Sequence, residues 1–334
     1  MKSPMKQKVF VTRIIPAPAI ALLKKHFQVQ VYQKDQVIPR MELIKGVKWC
    51  DALLCLLTDK IDAEIIEANP RLKIISNYAV GVDNIDLKQA TMKKIPVCNT
   101  PSQQIVDAVA EHTMALLLAL AKRLHEGEEL VRNDQWKAWD PNLLLGRQIA
   151  GKTLGVVGLG RIGSGVTERA VNGLGMRVIY YDIVRNKQFE KKYRARYVSL
   201  AALLKSSDAV TIHVSLSKST YHLIGAKELR LMKKTAYLIN TSRGSVVDEV
   251  ALVSALRNMQ LAGAGLDVYE QEPNQNHPLH ALHNCILTPH VASATLEVRE
   301  QMSKDAAESI IAVLNGRKSQ KTVNPEVYGG RKVK

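Results

Sequence analysis

Short apolar runs alternate with amphipathic stretches along most of the chain. In the first third, four runs have the length of strands, at 9–11, 29–32, 52–56 and 72–75. Segments between them, such as 19–25 and 62–68, place apolar residues at helical spacing. A regular alternation of strands and helices predicts a parallel sheet with helices on both of its faces. The pattern therefore favours the α/β class of folds.

The same alternation continues after a long apolar helix, which the pattern predicts over 104–123. Further strand-like runs follow at 152–157, 178–181, 209–212, 236–239 and 263–266. A final helical pattern covers 295–314. Because this last helix comes after a complete second unit, we expect it to return to the first one. The predicted domains are 1–100 together with 291–334, and 101–290 inserted between them.

A glycine-rich turn lies between the strand-like run at 152–157 and the helical stretch that follows it. Its six residues read Gly-Leu-Gly-Arg-Ile-Gly, and Asp182 ends the next strand-like run about 20 residues later. Gly158 allows a tight turn, Gly160 lets backbone N–H groups approach a pyrophosphate, and Gly163 lets the helix pack closely on the strand. The helix N-terminus then faces the phosphate charge. We predict a dinucleotide site formed by Gly158, Gly160, Arg161, Ile162, Gly163 and Asp182.

Asp182 also bears on which dinucleotide binds. A carboxylate at this position accepts hydrogen bonds from both ribose hydroxyls and repels a 2′-phosphate. NAD(H) is therefore expected in preference to NADP(H), although Arg185 lies close in sequence and weakens that preference. The inserted domain 101–290 is accordingly predicted to bind NAD(H), and the domain built from both chain ends to bind the substrate.

Three loops that follow predicted strands carry an arginine, a carboxylate and a histidine: Arg243, Glu272 and His290. In an α/β sheet such loops meet outside the carboxyl ends of the strands, where ligands bind. An arginine can hold a substrate carboxylate, and a histidine paired with a glutamate can exchange a proton while hydride moves to or from a nicotinamide. Glu270 is the alternative partner for the histidine, and His213 is the alternative acid–base.

In this order behind the glycine-rich turn, the three loops resemble the Arg-Gly, Glu-x-Glu-Pro and Pro-His motifs of the D-isomer-specific 2-hydroxyacid dehydrogenases. The similarity covers nearly the whole chain. It implies that Arg243, Glu272 and His290 form a catalytic triad. In that triad His290 is the acid–base, Glu272 is its partner, and Arg243 orients the substrate.

The resemblance extends to other parts of the chain. It implies that Asp267 contacts the nicotinamide carboxamide. The segment 77–84 is similar to the family's substrate loop, which assigns the substrate carboxylate to the N–H groups of Val80 and Gly81. The implied architecture is two Rossmann-like, doubly wound parallel-sheet domains with a cleft between them, the substrate domain being flavodoxin-like. A homodimer is also implied, with the helix from Gln104 as a candidate interface.

Within the family, the segments 136–146 and 323–327 are most similar to glyoxylate and hydroxypyruvate reductases. The expected reaction is hydride transfer between NAD(H) and a small 2-keto or D-2-hydroxy acid. The segment 110–117 is also similar to D-3-phosphoglycerate dehydrogenases, so an enzyme of that kind without a regulatory domain is the alternative. A NAD(H)-sensing corepressor is a further alternative, because such proteins share the fold and the triad.

Charge narrows the classes of partner. The chain has 334 residues, with 47 Lys and Arg against 31 Asp and Glu, which gives a formal net charge of +16. No helix-turn-helix, zinc or aromatic-interleaved pattern accompanies this charge. We therefore expect it to attract an anionic substrate and cofactor, and not nucleic acid.

Cysteine and histidine usage predicts neither a metal site nor disulfides. Cys50, Cys55, Cys98 and Cys285 lack metal or redox spacing, which is typical of a reducing compartment and favours the cytoplasm. Histidines recur at intervals of three between 277 and 283, but no neighbouring pattern completes a ligand set. No apolar run is expected to span a membrane.

Overall fold

A computed structural model describes residues 6–329 of the chain, which divides into two compact units. Met1–Gln104 and Thr295–Lys334 belong to unit 1, and Ile105–Ala294 form unit 2. Residues 1–5 and 330–334, the two ends of the predicted substrate domain, lie outside the described residues.

Helices and strands alternate through the described residues. The strands are β1 (Lys8–Val11), β2 (Gln28–Val31), β3 (Ala52–Leu56), β4 (Ile74–Tyr78), β5 (Val97–Cys98), β6 (Thr153–Val157), β7 (Arg177–Tyr181), β8 (Arg196–Tyr197), β9 (Ala209–Ile212), β10 (Tyr237–Asn240), β11 (Gly263–Leu266) and β12 (Cys285–Leu287). The α-helices are α1 (Ala17–His26), α2 (Arg40–Trp49), α3 (Ala63–Glu67), α4 (Leu87–Met92), α5 (Gln103–Lys122), α6 (Leu124–Arg132), α7 (Arg161–Leu174), α8 (Lys187–Tyr193), α9 (Leu200–Ser206), α10 (Ala226–Leu231), α11 (Glu249–Arg257) and α12 (Leu296–Leu314). Short 3-10 helices lie at Gly244–Val246, Pro278–Ala281 and Pro325–Tyr328.

Unit 1 contains a five-stranded parallel sheet in the order β2-β1-β3-β4-β5. This is the flavodoxin-like strand order, in which the chain crosses over between β2 and β3. The C-terminal helix α12 packs against this sheet and α1. Its Ala306 and Arg299 carbonyls accept hydrogen bonds from Ser76 Oγ at 3.1 Å and from Tyr78 Oη at 2.7 Å. The last described α-helix, α12, therefore packs on the first sheet.

Unit 2 contains a seven-stranded parallel sheet in the order β12-β11-β10-β9-β6-β7-β8. The strand order reverses between β6 and β9, and ligands of doubly wound sheets bind outside the carboxyl ends of the strands at such a reversal. One buried apolar cluster includes Leu203, Leu238 and Leu252, and a second includes Leu117 and Val156. The predicted fold class, two Rossmann-like parallel-sheet units, is confirmed.

The sequence pattern predicted no apolar segment long enough to cross a membrane, and helix α5 shows that this prediction was wrong. By length and composition it does qualify, and 61% of its most apolar window is buried. Met114, Leu117 and Leu120 belong to a core cluster of unit 2. Small residues of β11 let the helix approach, because a Cβ on Gly265 would lie 3.1 Å from Leu116 Cβ. We conclude that α5 is a core helix.

Candidate active site

The glycine-rich turn between β6 and α7 is shaped by close backbone contacts. Gly158 has φ +92°, and a Cβ there would lie 2.9 Å from the His213 carbonyl oxygen. A Cβ on Gly163 would lie 2.1 Å from the Gly158 carbonyl oxygen, so helix and turn meet only because this residue is glycine. A Cβ on Gly160 would meet no described residue within 4 Å, which leaves open space above the turn.

Helix α7 presents its N-terminus to that open space. It begins at Arg161, and Gly160 supplies no side-chain cap for its first N–H groups. Uncapped N–H groups and the positive end of the helix dipole suit a phosphate. Arg161 is exposed, whereas Ile162 packs partly against the core of unit 2. The residues therefore fit a dinucleotide pyrophosphate.

Asp182, directly after β7, lies beside the glycine-rich turn. Its Oδ2 accepts a hydrogen bond from Leu159 N–H at 2.6 Å, and its Oδ1 accepts one from Val184 N–H at 3.1 Å. Arg185 is held in place by Glu190 through two hydrogen bonds of 2.8 Å each. These bonds lower the pKa of Glu190 to about 2. The cation nearest to Asp182 in sequence thus has a carboxylate partner.

His290 and Glu272 form a directly hydrogen-bonded pair. His290 Nδ1 lies 2.7 Å from Glu272 Oε2, and both side chains are roughly a quarter exposed. Glu272 Oε1 accepts the Tyr269 N–H at 3.0 Å, which orients the carboxylate. The Glu272 carboxylate can only accept a hydrogen bond, so Nδ1 carries the proton that is shared between them. Nε2 is therefore the ring nitrogen left to exchange a proton with another molecule. Among the described residues Nε2 has no hydrogen-bond partner.

The alternative partner, Glu270, is engaged elsewhere. Its Oε1 accepts from Glu249 N–H at 2.9 Å and lies 3.0 Å from His222 Nε2. The glutamate that precedes the proline is therefore the one that reaches His290.

A cavity of about 340 Å³ opens beside the His290–Glu272 pair. It lies beyond the carboxyl ends of β11 and β12. The glycine-rich turn follows the carboxyl end of β6, so it lies at the same edge of this parallel sheet. Both apolar and polar side chains line it. Its lining residues are Tyr269, Glu272, Pro273, Asn274, His280, Leu287, Thr288, Pro289 and His290. A small polar molecule can reach the imidazole here.

Arg243 follows β10 in a loop that is fixed by its neighbours. Its carbonyl oxygen accepts from Asn240 Nδ2 at 2.9 Å, and its guanidinium donates to the Ser242 carbonyl oxygen at 2.8 Å. A Cβ on the next residue, Gly244, would lie 1.8 Å from the Tyr269 carbonyl carbon. Glycine at 244 therefore lets the arginine loop lie against the loop that carries Glu272. Gly244 is the glycine of the Arg-Gly motif, and this close contact is a physical reason for a glycine at that position.

Asp267 is fully buried, and its carboxylate is surrounded by donors from the loop that carries His290. Oδ1 accepts from Thr288 Oγ1 at 2.6 Å and Val291 N–H at 2.9 Å, and Oδ2 accepts from Ala292 N–H at 2.8 Å. Burial would raise its pKa, but hydrogen bonds from His112, Thr288 and the two N–H groups outweigh this and hold the pKa below its usual range. The predicted contact between Asp267 and the nicotinamide remains a prediction.

In unit 1, two carboxamides hold the loop after β4. Asn77 Nδ2 donates to the Gly81 carbonyl oxygen at 2.9 Å, and Asn99 Nδ2 donates to the Val80 carbonyl oxygen at 2.7 Å. Asn84 Oδ1 accepts from Asn77 at 3.0 Å and fixes that amide. The N–H groups of Val80 and Gly81 donate to no acceptor within residues 6–329. Two adjacent donors are thus available to an anion.

His213, the alternative acid–base, is unsuited to supplying protons. Burial lowers the pKa of its imidazole to about 3, and its buried Nδ1 has no hydrogen-bond partner within residues 6–329. Its Nε2 lies 2.8 Å from Thr211 Oγ1. The ring is therefore neutral at neutral pH.

One cluster of described side chains has the composition of a metal site. Ligand atoms of His222, Asp248 and Glu270 lie within 4.8 Å of one another. Both carboxylates already accept N–H groups in the first turn of α11, from Ala251 and Glu249. The cluster is accounted for as a capped helix N-terminus.

The cysteines are all free and buried. Burial raises the pKa of Cys50 and of Cys285 to about 12, so neither thiol is a nucleophile at neutral pH.

A family model matches the middle part of the chain, and individual relatives match nearly its whole length. The family model described as "D-isomer specific 2-hydroxyacid dehydrogenase, NAD binding domain" matches residues 114–292. A glyoxylate reductase from Korarchaeum cryptofilum is 48% identical over 97% of this chain and 97% of the relative. One from Thermofilum pendens is 50% identical, over 96% of this chain and 95% of the relative.

Solved structures match as extensively. A protein from Thermus thermophilus is 42% identical, with a TM-score of 0.89 over 95% of this chain and 99% of that one. A D-lactate dehydrogenase from Aquifex aeolicus, complexed with NAD and lactic acid, is 32% identical, with a TM-score of 0.81 over 92% and 96%. An NADPH-dependent glyoxylate/hydroxypyruvate reductase from Sinorhizobium meliloti, in complex with NADP and malonate, is 28% identical, with a TM-score of 0.84 over 98% and 100%.

Proposed function

Because the chain belongs to the D-isomer-specific 2-hydroxyacid dehydrogenase family, we propose that it reduces glyoxylate and hydroxypyruvate with NADH as the hydride donor. The resemblance found in the sequence motifs is confirmed for the family and the class of reaction. The observation that carries the proposal is the His290–Glu272 pair beside a cavity of about 340 Å³.

We assign proton transfer to His290. The dinucleotide supplies the hydride when it is bound. As hydride adds to the 2-keto carbon, the carbonyl oxygen gains a proton from protonated His290 Nε2 and becomes a hydroxyl. Glu272 fixes the orientation of the imidazole by accepting Nδ1–H, so that Nε2 is the nitrogen that exchanges the proton. In the oxidative direction the neutral imidazole takes the proton back.

We assign the substrate carboxylate to Arg243 and to the N–H groups of Val80 and Gly81. A guanidinium and two adjacent N–H donors are complementary to a planar carboxylate. The side chains of Asn77 and Asn99 donate hydrogen bonds to the carbonyl oxygens of Gly81 and Val80, and these bonds fix the orientation of the loop that carries the two N–H groups. This assignment leaves the rest of the substrate to be selected by its size.

We assign the adenosine ribose of NADH to Asp182. Its carboxylate accepts N–H groups beside the glycine-rich turn, so a 2′-phosphate here would meet like charge. Arg185, which could attract that phosphate, is paired with Glu190. Structural neighbours bind NAD in one case and NADP in another, so the preference rests on these side chains.

We further propose a cytoplasmic homodimer. The first interface candidate, α5, has most of its apolar residues in the core. In contrast, α6 buries no residue, and Trp139 and Leu145 in the following segment are 80% and 65% exposed. Exposed aromatic and aliphatic side chains of this size mark interaction surfaces. We therefore place the dimer contact on residues 124–145, which we call the apolar arm. The four buried free thiols agree with a reducing compartment.

The test is NADH oxidation by the purified protein with glyoxylate, hydroxypyruvate, pyruvate or 3-phosphohydroxypyruvate at equal concentrations, with NADPH in parallel. Turnover should be fastest with the first two acids and with NADH. Preference for the phosphorylated acid would identify a phosphoglycerate dehydrogenase instead. Tight NADH binding without turnover of any acid would support a cofactor sensor and refute the reductase.

A further inference from the structure

We propose that His112, on α5, is a positioning residue that fixes the loop carrying His290. It acts through a hydrogen-bonded chain from its imidazole to Thr288 and on to the buried carboxylate of Asp267. The inference rests on the proposed role of His290 as the acid–base. Through this chain of hydrogen bonds, a residue on helix α5 helps to determine where the imidazole of His290 lies.

The loop that carries His290 needs external support. His290 has φ +55°, in the left-handed region that residues with a side chain rarely adopt. Directly after it, Val291 and Ala292 donate their N–H groups to the two oxygens of Asp267 at 2.9 and 2.8 Å. The Asp267 carboxylate therefore fixes the chain on the C-terminal side of His290.

Thr288 connects the same carboxylate to the N-terminal side of His290. Its Oγ1 lies 2.6 Å from Asp267 Oδ1 and 3.4 Å from the Leu266 carbonyl oxygen. A hydroxyl has one proton, and the short contact to a carboxylate is the stronger bond, so Thr288 donates to Asp267. Its oxygen is then left to accept.

His112 supplies the donor that completes the chain. Its Nε2 lies 3.1 Å from Thr288 Oγ1 and 3.5 Å from Asp267 Oδ1. Because Thr288 Oγ1 must accept here, the geometry assigns the proton of the His112 ring to Nε2. Thr288 lines the cavity beside His290, whereas His112 is absent from its described lining, so His112 acts through Thr288.

Substitution of His112 tests the chain from the helix side. His112→Ala should lower kcat by about 10- to 100-fold, because outer hydrogen-bond partners orient a functional imidazole. KM for the keto acid and the Kd for NADH should change less than threefold. His112→Gln places an amide N–H where Nε2 donates and should recover most of the kcat. His26→Ala, an exposed histidine on α1, should leave kcat unchanged.

Substitution of Thr288 tests the same chain from the loop side. Thr288→Val removes the hydroxyl and should lower kcat as His112→Ala does, whereas Thr288→Ser should retain it. The double variant should lose less than the product of the two single losses, since both break one chain. If His112→Ala does not fold, the Thr288 pair and His112→Gln still decide the question.

The outcomes separate this inference from the proposed function. Unchanged kcat in His112→Ala and Thr288→Val, with His290→Ala inactive, would overturn the positioning role alone. Equal losses in His112→Ala and His112→Gln, or independent losses in the double variant, would also overturn it. Full activity in His290→Ala would overturn the proposed function itself.

Discussion

At the scale of single residues, the proposed chemistry depends on which groups can change their protonation. His290 has one ring nitrogen bonded to Glu272 and the other without a partner among the described residues. His213, after another strand of the same sheet, is neutral because burial lowers its pKa to about 3. Both histidines follow strands in the sequence, but their environments differ: His213 is buried and neutral, whereas His290 is paired with a carboxylate beside a cavity.

Replacement of His290 should affect the rate and not the binding of NADH. We expect His290→Ala to lower kcat by about 10²- to 10⁴-fold, since general acid catalysis contributes that much. Glu272→Gln should cause a smaller loss, because it weakens the hydrogen bond that orients the imidazole. Steady-state kinetics and NADH fluorescence titration measure both effects, with His283→Ala as the control for an exposed histidine. Turnover by His290→Ala within threefold of wild type would contradict the assignment.

Burial of the neutral His213 ring should lower the free energy of unfolding as the solution becomes acidic. As the pH falls below about 6.5, the unfolded chain binds a proton that the folded protein excludes until its pKa of about 3. Stability should therefore fall with decreasing pH through this window, by up to about 1.4 kcal/mol per pH unit from this residue. His213→Gln should show a shallower fall in urea unfolding between pH 6.5 and 4. Parallel curves for the two proteins would exclude the effect.

At the scale of elements, close approach of loops and helices depends on small residues at particular places. Gly163 lets α7 meet the glycine-rich turn, and Gly244 lets the arginine loop meet the loop of Glu272. The periodic pattern located most elements well, including β3 at its observed bounds. It placed β4 two residues early, because Leu72 still belongs to the turn closed by its bond to the Asn69 carbonyl oxygen. The two-residue strands β5 and β8 are too short to give a periodic signal.

Gly244→Ala should damage both stability and catalysis. The added methyl would lie 1.8 Å from the Tyr269 carbonyl carbon, a backbone atom that only a loop displacement can move. We expect a loss of about 1–3 kcal/mol in urea unfolding, together with a lower kcat. Gly173→Ala, in α7 with nothing within 4 Å, is the matched control and should be neutral or stabilising by up to about 1 kcal/mol. Equal stabilities of the two variants would argue against the close contact.

The loop between β7 and α8 should set the preference for cofactor. Asp182→Ala combined with Ile183→Arg removes the carboxylate and adds a cation at a position that is 91% exposed. The ratio of kcat/KM for NADH to that for NADPH should fall by about 10- to 100-fold, the value of one or two charge-assisted hydrogen bonds. Val184→Ser, an exposed neighbour, should leave the ratio unchanged. An unaltered ratio in the double variant would exclude Asp182 from the ribose site.

At the scale of the whole molecule, both units use the same parallel-sheet plan, and the chain returns to the first unit through α12. The apolar arm stands apart from this plan, since it contributes exposed rather than buried apolar side chains. These exposed apolar side chains support the proposed interface.

Trp139→Ser should weaken association of two chains. The wild type should have twice the 37.1 kDa mass of one chain in light scattering after gel filtration. The variant should shift toward the single-chain mass at micromolar concentration, because it removes the most exposed tryptophan of the apolar arm. Met41→Ser, a 67% exposed side chain in unit 1, should leave the mass unchanged. A single-chain mass for the wild type, or an unaltered mass for Trp139→Ser, would rule out this interface.

The sequence by itself determined the fold class, the glycine-rich turn and the family. These features are encoded locally, since strand and helix periods and turn glycines act within a few residues. The resemblance already implied Glu272 as the partner of His290, and the tertiary structure supplies the contact between them. Only the tertiary structure decided that Val80 and Gly81 leave their N–H groups without acceptors among the described residues. It also brought His112 to Thr288, residues 176 positions apart in sequence. Such contacts depend on loop geometry and on packing between distant segments, which no local pattern records.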